Sequence, residues 1–146
     1  MKNLNEIARD CILSGESIPA EIADQVTELD LYGTQVSDLT PIARLMGLKS
    51  LYLFGTQVSD LSPIAGFTGL EWLDLYGTKV SDLTPIAGLT GLEWINLSET
   101  RVTDLSPIAG FTALKTLYLY GTKVSDLSPI QHIIDGGMEC YRSELK

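Results

Sequence analysis

Chemically versatile side chains are scarce in this chain: one histidine and two cysteines stand among 146 residues. Neither Cys11 nor Cys140 has a histidine or a basic cluster beside it, and His132 stands alone. No zinc spacing, phosphate loop or nucleophile elbow occurs. The expectation is therefore no enzyme activity, no catalytic residue, no metal and no cofactor. Positive charge is also in short supply. Ten Lys and Arg face nineteen Asp and Glu, for a formal net charge of −9. A nucleic-acid backbone needs a basic stripe, so no nucleic-acid partner is expected. An acidic surface suits a basic partner or simple solubility. Long apolar runs are missing too, which argues against a membrane span and a membrane partner. The first residues, MKNLNEIARDCILSGES, lack the continuous apolar stretch of a secretory signal. A cytoplasmic chain is expected, or one delivered outside by a route without a classical signal peptide.

Proline is rare as well, but its placement is informative. All six prolines (Pro19, Pro41, Pro63, Pro85, Pro107 and Pro129) fall 22 residues apart. The stretch Leu70 to Gly91, LEWLDLYGTKVSDLTPIAGLTG, recurs five times with light edits and no gap. Leu29, Leu51, Leu73, Ile95 and Leu117 fall in step, as do Asp38, Asp60, Asp82, Asp104 and Asp126. A fixed period of this length signals a solenoid, each unit burying its apolar side only against its neighbours. In the second unit, Leu48, Leu51 and Leu53 give LxxLxL, a short strand with its leucines inward. Gly55-Thr56 turns the chain, and Val58 and Leu61 return to the core. Ser62-Pro63 reads as the N-cap and first residue of a short 3₁₀ turn that buries Ile64 and Phe67. Strands of successive coils then pair in parallel. The fold class is α/β: short parallel strands on one face, 3₁₀ or short helical turns on the other, and a helical N-terminal cap.

The cap is residues 1–15. Leu4, Ile7, Ala8, Cys11 and Ile12 share one helical face. Asn3 and Glu6 form a capping-box pattern, and Gly15 suits the stop. Residues 1–25 are thus cap plus partial repeat, 26–135 five repeats, and 136–146 a C-terminal cap or tail. In the last segment the frame would put Gly136, Glu139 and Tyr141 where leucines belong. Met138–Arg142 reads as a slipped edge strand or irregular cap, Ser143–Lys146 as a frayed tail. Five coils at about 4.8 Å each part Cys11 from Cys140 by roughly 20–25 Å, beyond the ~7 Å limit of a disulfide. Two free thiols are expected.

The LxxLxL strand followed by V-S-D-L-[ST]-P-I-A, over residues 26–135, resembles leucine-rich repeat proteins, specifically the bacterial kind with 22-residue repeats seen in internalins. The resemblance implies a curved right-handed solenoid with strands, and binding, on the concave face. One departure is that Thr34, Thr56, Thr78, Thr100 and Thr122 stand where the family usually has asparagine after the strand.

Strand alternation turns the residues between the leucines outward. The first outward column is Glu28, Ser50, Trp72, Trp94 and Thr116; the second Asp30, Tyr52, Asp74, Asn96 and Tyr118; the third Tyr32, Phe54, Tyr76, Ser98 and Tyr120. Eight of the eleven aromatics lie there; Phe67 and Phe111 fall on core positions, and Tyr141 is placed in the tail. Aromatics favour strands and stack along ladders, and they also dominate binding hot spots. The fourth repeat lacks its third-column ring and has Ser98-Glu99-Thr100-Arg101, which suggests a notch rimmed by Glu99 and Arg101. Lys79, Arg101 and Lys123 give a basic flank beside an acidic floor of Glu28, Asp30 and Asp74. The candidate partner-binding residues are Tyr32, Tyr52, Phe54, Trp72, Asp74, Tyr76, Trp94, Asn96, Glu99, Arg101, Tyr118 and Tyr120. The expected function is non-enzymatic protein binding on the concave face, as adaptor, inhibitor or effector; the alternatives are a carbohydrate stacking on the same rings, and self-association through them. The Asp column suggests calcium only superficially, because calcium sites converge several oxygens on one point; an Asp just ahead of a short helical turn is expected to cap or hydrogen-bond that turn.

Overall fold

The computed structural model describes residues 1–143. Residues 144–146, most of the segment read as a frayed tail, lie outside the described residues. A helix α1 (Leu4–Ser14) and a single turn α2 (Ala20–Ala23) precede six strands of three residues each: β1 (Glu28–Asp30), β2 (Ser50–Tyr52), β3 (Trp72–Asp74), β4 (Trp94–Asn96), β5 (Thr116–Tyr118) and β6 (Glu139–Tyr141). They form one parallel sheet in chain order. From β1 to β5 the register advances 22 residues per strand, so Glu28, Ser50, Trp72, Trp94 and Thr116 are aligned neighbours. The parallel-strand solenoid read from the repeat is the observed architecture.

Each coil closes in the same way. The central strand residue (Leu29, Leu51, Leu73, Ile95 or Leu117) is fully buried, with Phe67 and Phe111 in the interior. After the strand, the threonine hydroxyls of Thr34, Thr56, Thr78, Thr100 and Thr122 donate to the carbonyls of Leu31, Leu53, Leu75, Leu97 and Leu119 at 2.5–2.8 Å. A short side chain suffices because its acceptor lies three residues back on the same turn. The returning chain makes 3₁₀ turns at Thr40–Ile42, Ser62–Ile64, Thr84–Ile86, Ser106–Ile108 and Ser128–Ile130.

Those turns correct one expectation. Ser62 is not the N-cap; Leu61 is, without a side-chain bond. The Ser62 backbone N–H and hydroxyl both donate to Asp60 Oδ1, at 2.9 and 2.6 Å. Asp38, Asp82, Asp104 and Asp126 accept the equivalent backbone N–H two residues on, at 2.8–2.9 Å. A carboxylate is the stronger acceptor, so the hydroxyl becomes a donor to it instead of capping the turn. Hydroxyl and N–H together hold all five carboxyls below the usual range.

The ends are closed differently. Asn3 and Glu6 make the full capping box on α1, and Gly15 ends it in the left-handed conformation with φ 79°. Ala8 and Ile12 pack on the core. Arg9 Nε donates to the Asp30 carbonyl at 2.9 Å, and Asn5 Oδ1 accepts from Glu28 N–H at 3.4 Å. These side chains satisfy edge groups of β1 that a preceding strand would otherwise take. At the other end, a short helix α3 (Gln131–Asp135) leads through Gly136 and Gly137 into β6. The register there advances 23 residues, pairing Leu117 with Cys140 and Tyr118 with Tyr141. The extra residue carries Glu139 off the core position and out to solvent, and puts Cys140, half-buried, in its place.

Candidate interaction surface

The outward side chains of a parallel in-register sheet stand at the strand spacing, about 4.8 Å, which is ring-stacking distance. Rings in one column therefore meet face to face. Phe54 and Tyr76 stack at 4.4 Å and 5°, with Tyr32 tilted against Phe54 at 4.8 Å. Trp72 and Trp94 stack at 4.2 Å and 10°. Tyr118 joins that pair at 5.5 Å and 55° from Trp94, and stacks on Tyr141 at 5.0 Å and 15°. Tyr120 lies 6.4 Å from Tyr118. The structure thus gathers these residues into two runs, Tyr32–Phe54–Tyr76 and Trp72–Trp94–Tyr118–Tyr141. Tyr52 lies half-buried on the same face. Tyr32, Trp72, Tyr120 and Tyr141 are the most exposed.

Tyr141 belongs to the segment read as a slipped edge strand or irregular cap, and an unbroken frame would put it on a core position. The one-residue slip of β6 puts it on the ridge instead. Its signal in the sequence is that one inserted residue lets the apolar Cys140, rather than Glu139, face the core.

The polar candidates divide by role. Asp74 Oδ1 and Asn96 Oδ1 accept the backbone N–H of Tyr76 and Ser98 at 3.0 and 2.9 Å, and Asp30 does the same for Tyr32 at 2.9 Å. They hold the turn that presents the third column. Burial pushes the Asp74 carboxyl up, while the Tyr76 N–H opposes the rise. Ser98, which stands where the other coils carry a third-column ring, is 1 % exposed, and its Oγ accepts from Tyr120 N–H at 3.0 Å. Glu99 takes the place that Gly33, Gly55, Gly77 and Gly121 hold in other coils. Its φ of 57° is the one positive value outside glycine among the described residues, and its carboxylate lies against Gly121. Arg101 is exposed on the flank with Lys79 and Lys123.

A charged rail along the opposite flank escaped the sequence reading. Lys49, Glu71, Glu93 and Lys115 occupy one frame position just before the strands. Lys49 Nζ lies 3.7 Å from Glu71 Oε1, and Lys115 Nζ 2.5 Å from Glu93 Oε1. The Lys115 ammonium holds the Glu93 carboxyl below its usual range. With Ser50, Trp72, Trp94 and Thr116 these residues line an open recess of about 250 Å³. The signal was available as a repeat column of charges that is neither strand-inward nor strand-outward.

The remaining reactive residues stand apart. His132 Nε2 lies 2.8 Å from the Ala109 carbonyl on the turn side. Cys11 and Cys140 are free thiols at opposite ends of the sheet, and burial pushes the Cys140 thiol up, away from the reactive thiolate. Among the described residues there is no cluster of metal-ligating side chains, and no helix is long and apolar enough to cross a membrane.

Comparison with known proteins decides the fold. A family model of leucine-rich repeats, two copies, matches residues 90–132. The structure of internalin C2 from Listeria monocytogenes is similar, with a TM-score of 0.76 and 33% identity over 85% of this chain and 55% of that one. The fold is a leucine-rich repeat solenoid. Similar also are an internalin F of the same organism (TM-score 0.69, 26% identity, 96% of this chain and 49% of that one) and a leucine-rich repeat protein of Leptospira interrogans (0.71, 25%, 86% and 33%). This solenoid spans about half or less of the length of those proteins. No curated protein sequence matches it. Leucine-rich repeat folds generally mediate protein–protein interaction.

Proposed function

We propose that this leucine-rich repeat chain is a non-enzymatic protein-binding module whose partner docks on the aromatic strand face. One observation carries the reading: nine of the eleven aromatic side chains stand on the outer face of the sheet, while the interior closes on leucine, isoleucine, valine and two phenylalanines. A ridge that the core does not need, built from the side chains enriched in hot spots, is the signature of an interaction surface. The stacked rings and turn-bonded Asp74 and Asn96 preorganise it, so little conformational freedom is lost on docking. The flanking charges set orientation and encounter rate. Adaptor, inhibitor and effector roles are all consistent with such a module.

The test is a lysate pull-down with the wild-type chain beside a Trp72→Ala, Trp94→Ala double variant, both first shown folded by circular dichroism. A partner retained by the wild type and lost by the variant supports the reading; equal capture by both overturns it. A glycan array and sedimentation of the free chain separate the carbohydrate and self-association alternatives.

A further inference from the structure

The recess beside the two tryptophans has a definite chemistry. Trp72 and Trp94 stack on each other, and among the described residues Trp72 pairs with no other ring. Its ladder neighbour on β2 is Ser50, which is too small to cover the ring. The outer face of Trp72 therefore opens into the recess, and the residue is 38% exposed. Beside the tryptophans lie Glu71 and Glu93, neighbours in the ladder whose backbones are joined by a 2.9 Å hydrogen bond from Glu93 N–H to the Glu71 carbonyl. Their carboxylates stand side by side. Each is drawn to one lysine at the outer end of the rail, through Oε1 alone. The centre of the rail is thus a carboxylate doublet alongside an open indole face.

We propose that this recess receives an arginine side chain of the protein partner, its guanidinium laid on the open face of Trp72 and bonded to the Glu71–Glu93 doublet. The inference rests on the protein-binding reading of the strand face and names the chemistry of its partner: a cationic segment with a projecting arginine. Three features select it. Tryptophan is the strongest ring for a cation, and arginine the cation that most often stacks. The planar guanidinium fork bonds two carboxylate oxygens at once while keeping its flat face on a ring, which an ammonium cannot do. The net charge of −9 favours the approach of a cationic partner.

The test exploits the fact that Trp72 and Trp94 are the only tryptophans in the chain, so fluorescence excited at the red edge, where the six tyrosines do not absorb, reports on this tryptophan pair. The full chain is titrated with a blocked glycine peptide carrying one central arginine. Matched peptides carry citrulline, which keeps the shape without the charge, or glutamate. The expected result is a saturable fluorescence change with the arginine peptide that weakens with salt and is absent with glutamate. A Glu71→Gln, Glu93→Gln variant should bind about threefold to fivefold more weakly, the scale of an exposed charge pair. Ser50→Leu, which covers the ring face and leaves both acids, should abolish the change while circular dichroism stays native. No saturable change, an equal response to citrulline, or a response to a neutral oligosaccharide in place of arginine overturns the proposal. Its failure is distinct from failure of the parent reading: a partner lost on changing the tryptophans, with no arginine response, leaves the surface standing and removes only the cation.

Discussion

At Glu99 a side chain sits where the backbone asks for none. The four equivalent glycines of the other coils have φ between 67° and 72°, and Glu99 takes 57° in the same turn. A β-carbon in that region costs about 1–2 kcal/mol. Glu99→Gly should therefore raise the unfolding free energy by about 1 kcal/mol, read from the denaturant midpoint. Strain kept against such a gain points from the outlier to a use for the carboxylate. Gly121 supplies the complementary test. A methyl there would meet the Glu99 carboxylate, whereas one on Gly77 meets only backbone of Gly55, at ordinary contact distance. Gly121→Ala should cost more stability than Gly77→Ala, and the excess should vanish when Glu99 is also glycine. An unchanged excess would place its cause elsewhere. In the interior, Phe67→Ala should cost about 3–5 kcal/mol, because a fully buried ring between two coils leaves a cavity that the rigid ladder cannot close.

The 3₁₀ turns set the acid response of the element. Asp38, Asp60, Asp82, Asp104 and Asp126 each have a folded-state pKa below the ordinary 3.8, because hydroxyl and N–H donors favour the charged form. A depressed folded pKa adds stability that is complete above the unfolded value and is lost as pH falls through the folded one. The thermal midpoint should consequently stay level above about pH 5 and drop below about pH 4. Five equivalent sites act together, so the drop should be steep. Asp82→Asn keeps an acceptor but not the charge, and should flatten part of it; an identical acid profile in that variant would refute the assignment. The same turns mark the limit of motif reading. Ser-Pro correctly located them, since proline at the second position fits a helical start. The repeated aspartate, read as bonding the turn it precedes, does so: Asp60 accepts the free N–H from two residues back, and only the reading of Ser62 as the cap is displaced.

Across the whole molecule, coils depend on their neighbours, and the ends need closure. Helix α1 covers the β1 edge through Ala8 and Ile12, with Arg9 and Asn5 on its free polar groups. Deleting residues 1–15 should lower the thermal midpoint and increase light scattering on heating, as Leu29 and its backbone open to water. An unchanged midpoint would show that the first coil closes itself. The amino-acid sequence by itself determined the coil: a strict 22-residue period makes every leucine column inward, every intervening column outward, and every strand parallel to the next. Strand alternation has no other solution while the period holds. The tertiary structure alone decided what happens where the period breaks or where neighbours compete. Of the slipped edge strand and the irregular cap that the sequence left open for Met138–Arg142, it took the strand and set its slip at one residue, which sends Glu139 outward and brings Tyr141 onto the ridge. It buried Ser98 with its Oγ on the Tyr120 N–H, and it set Lys49, Glu71, Glu93 and Lys115 along the tryptophan pair. The physical reason is common to all three. Period and polarity act within one coil and are written locally, whereas the pairing of an irregular edge and the partners of a surface side chain depend on atoms a full turn of the solenoid away.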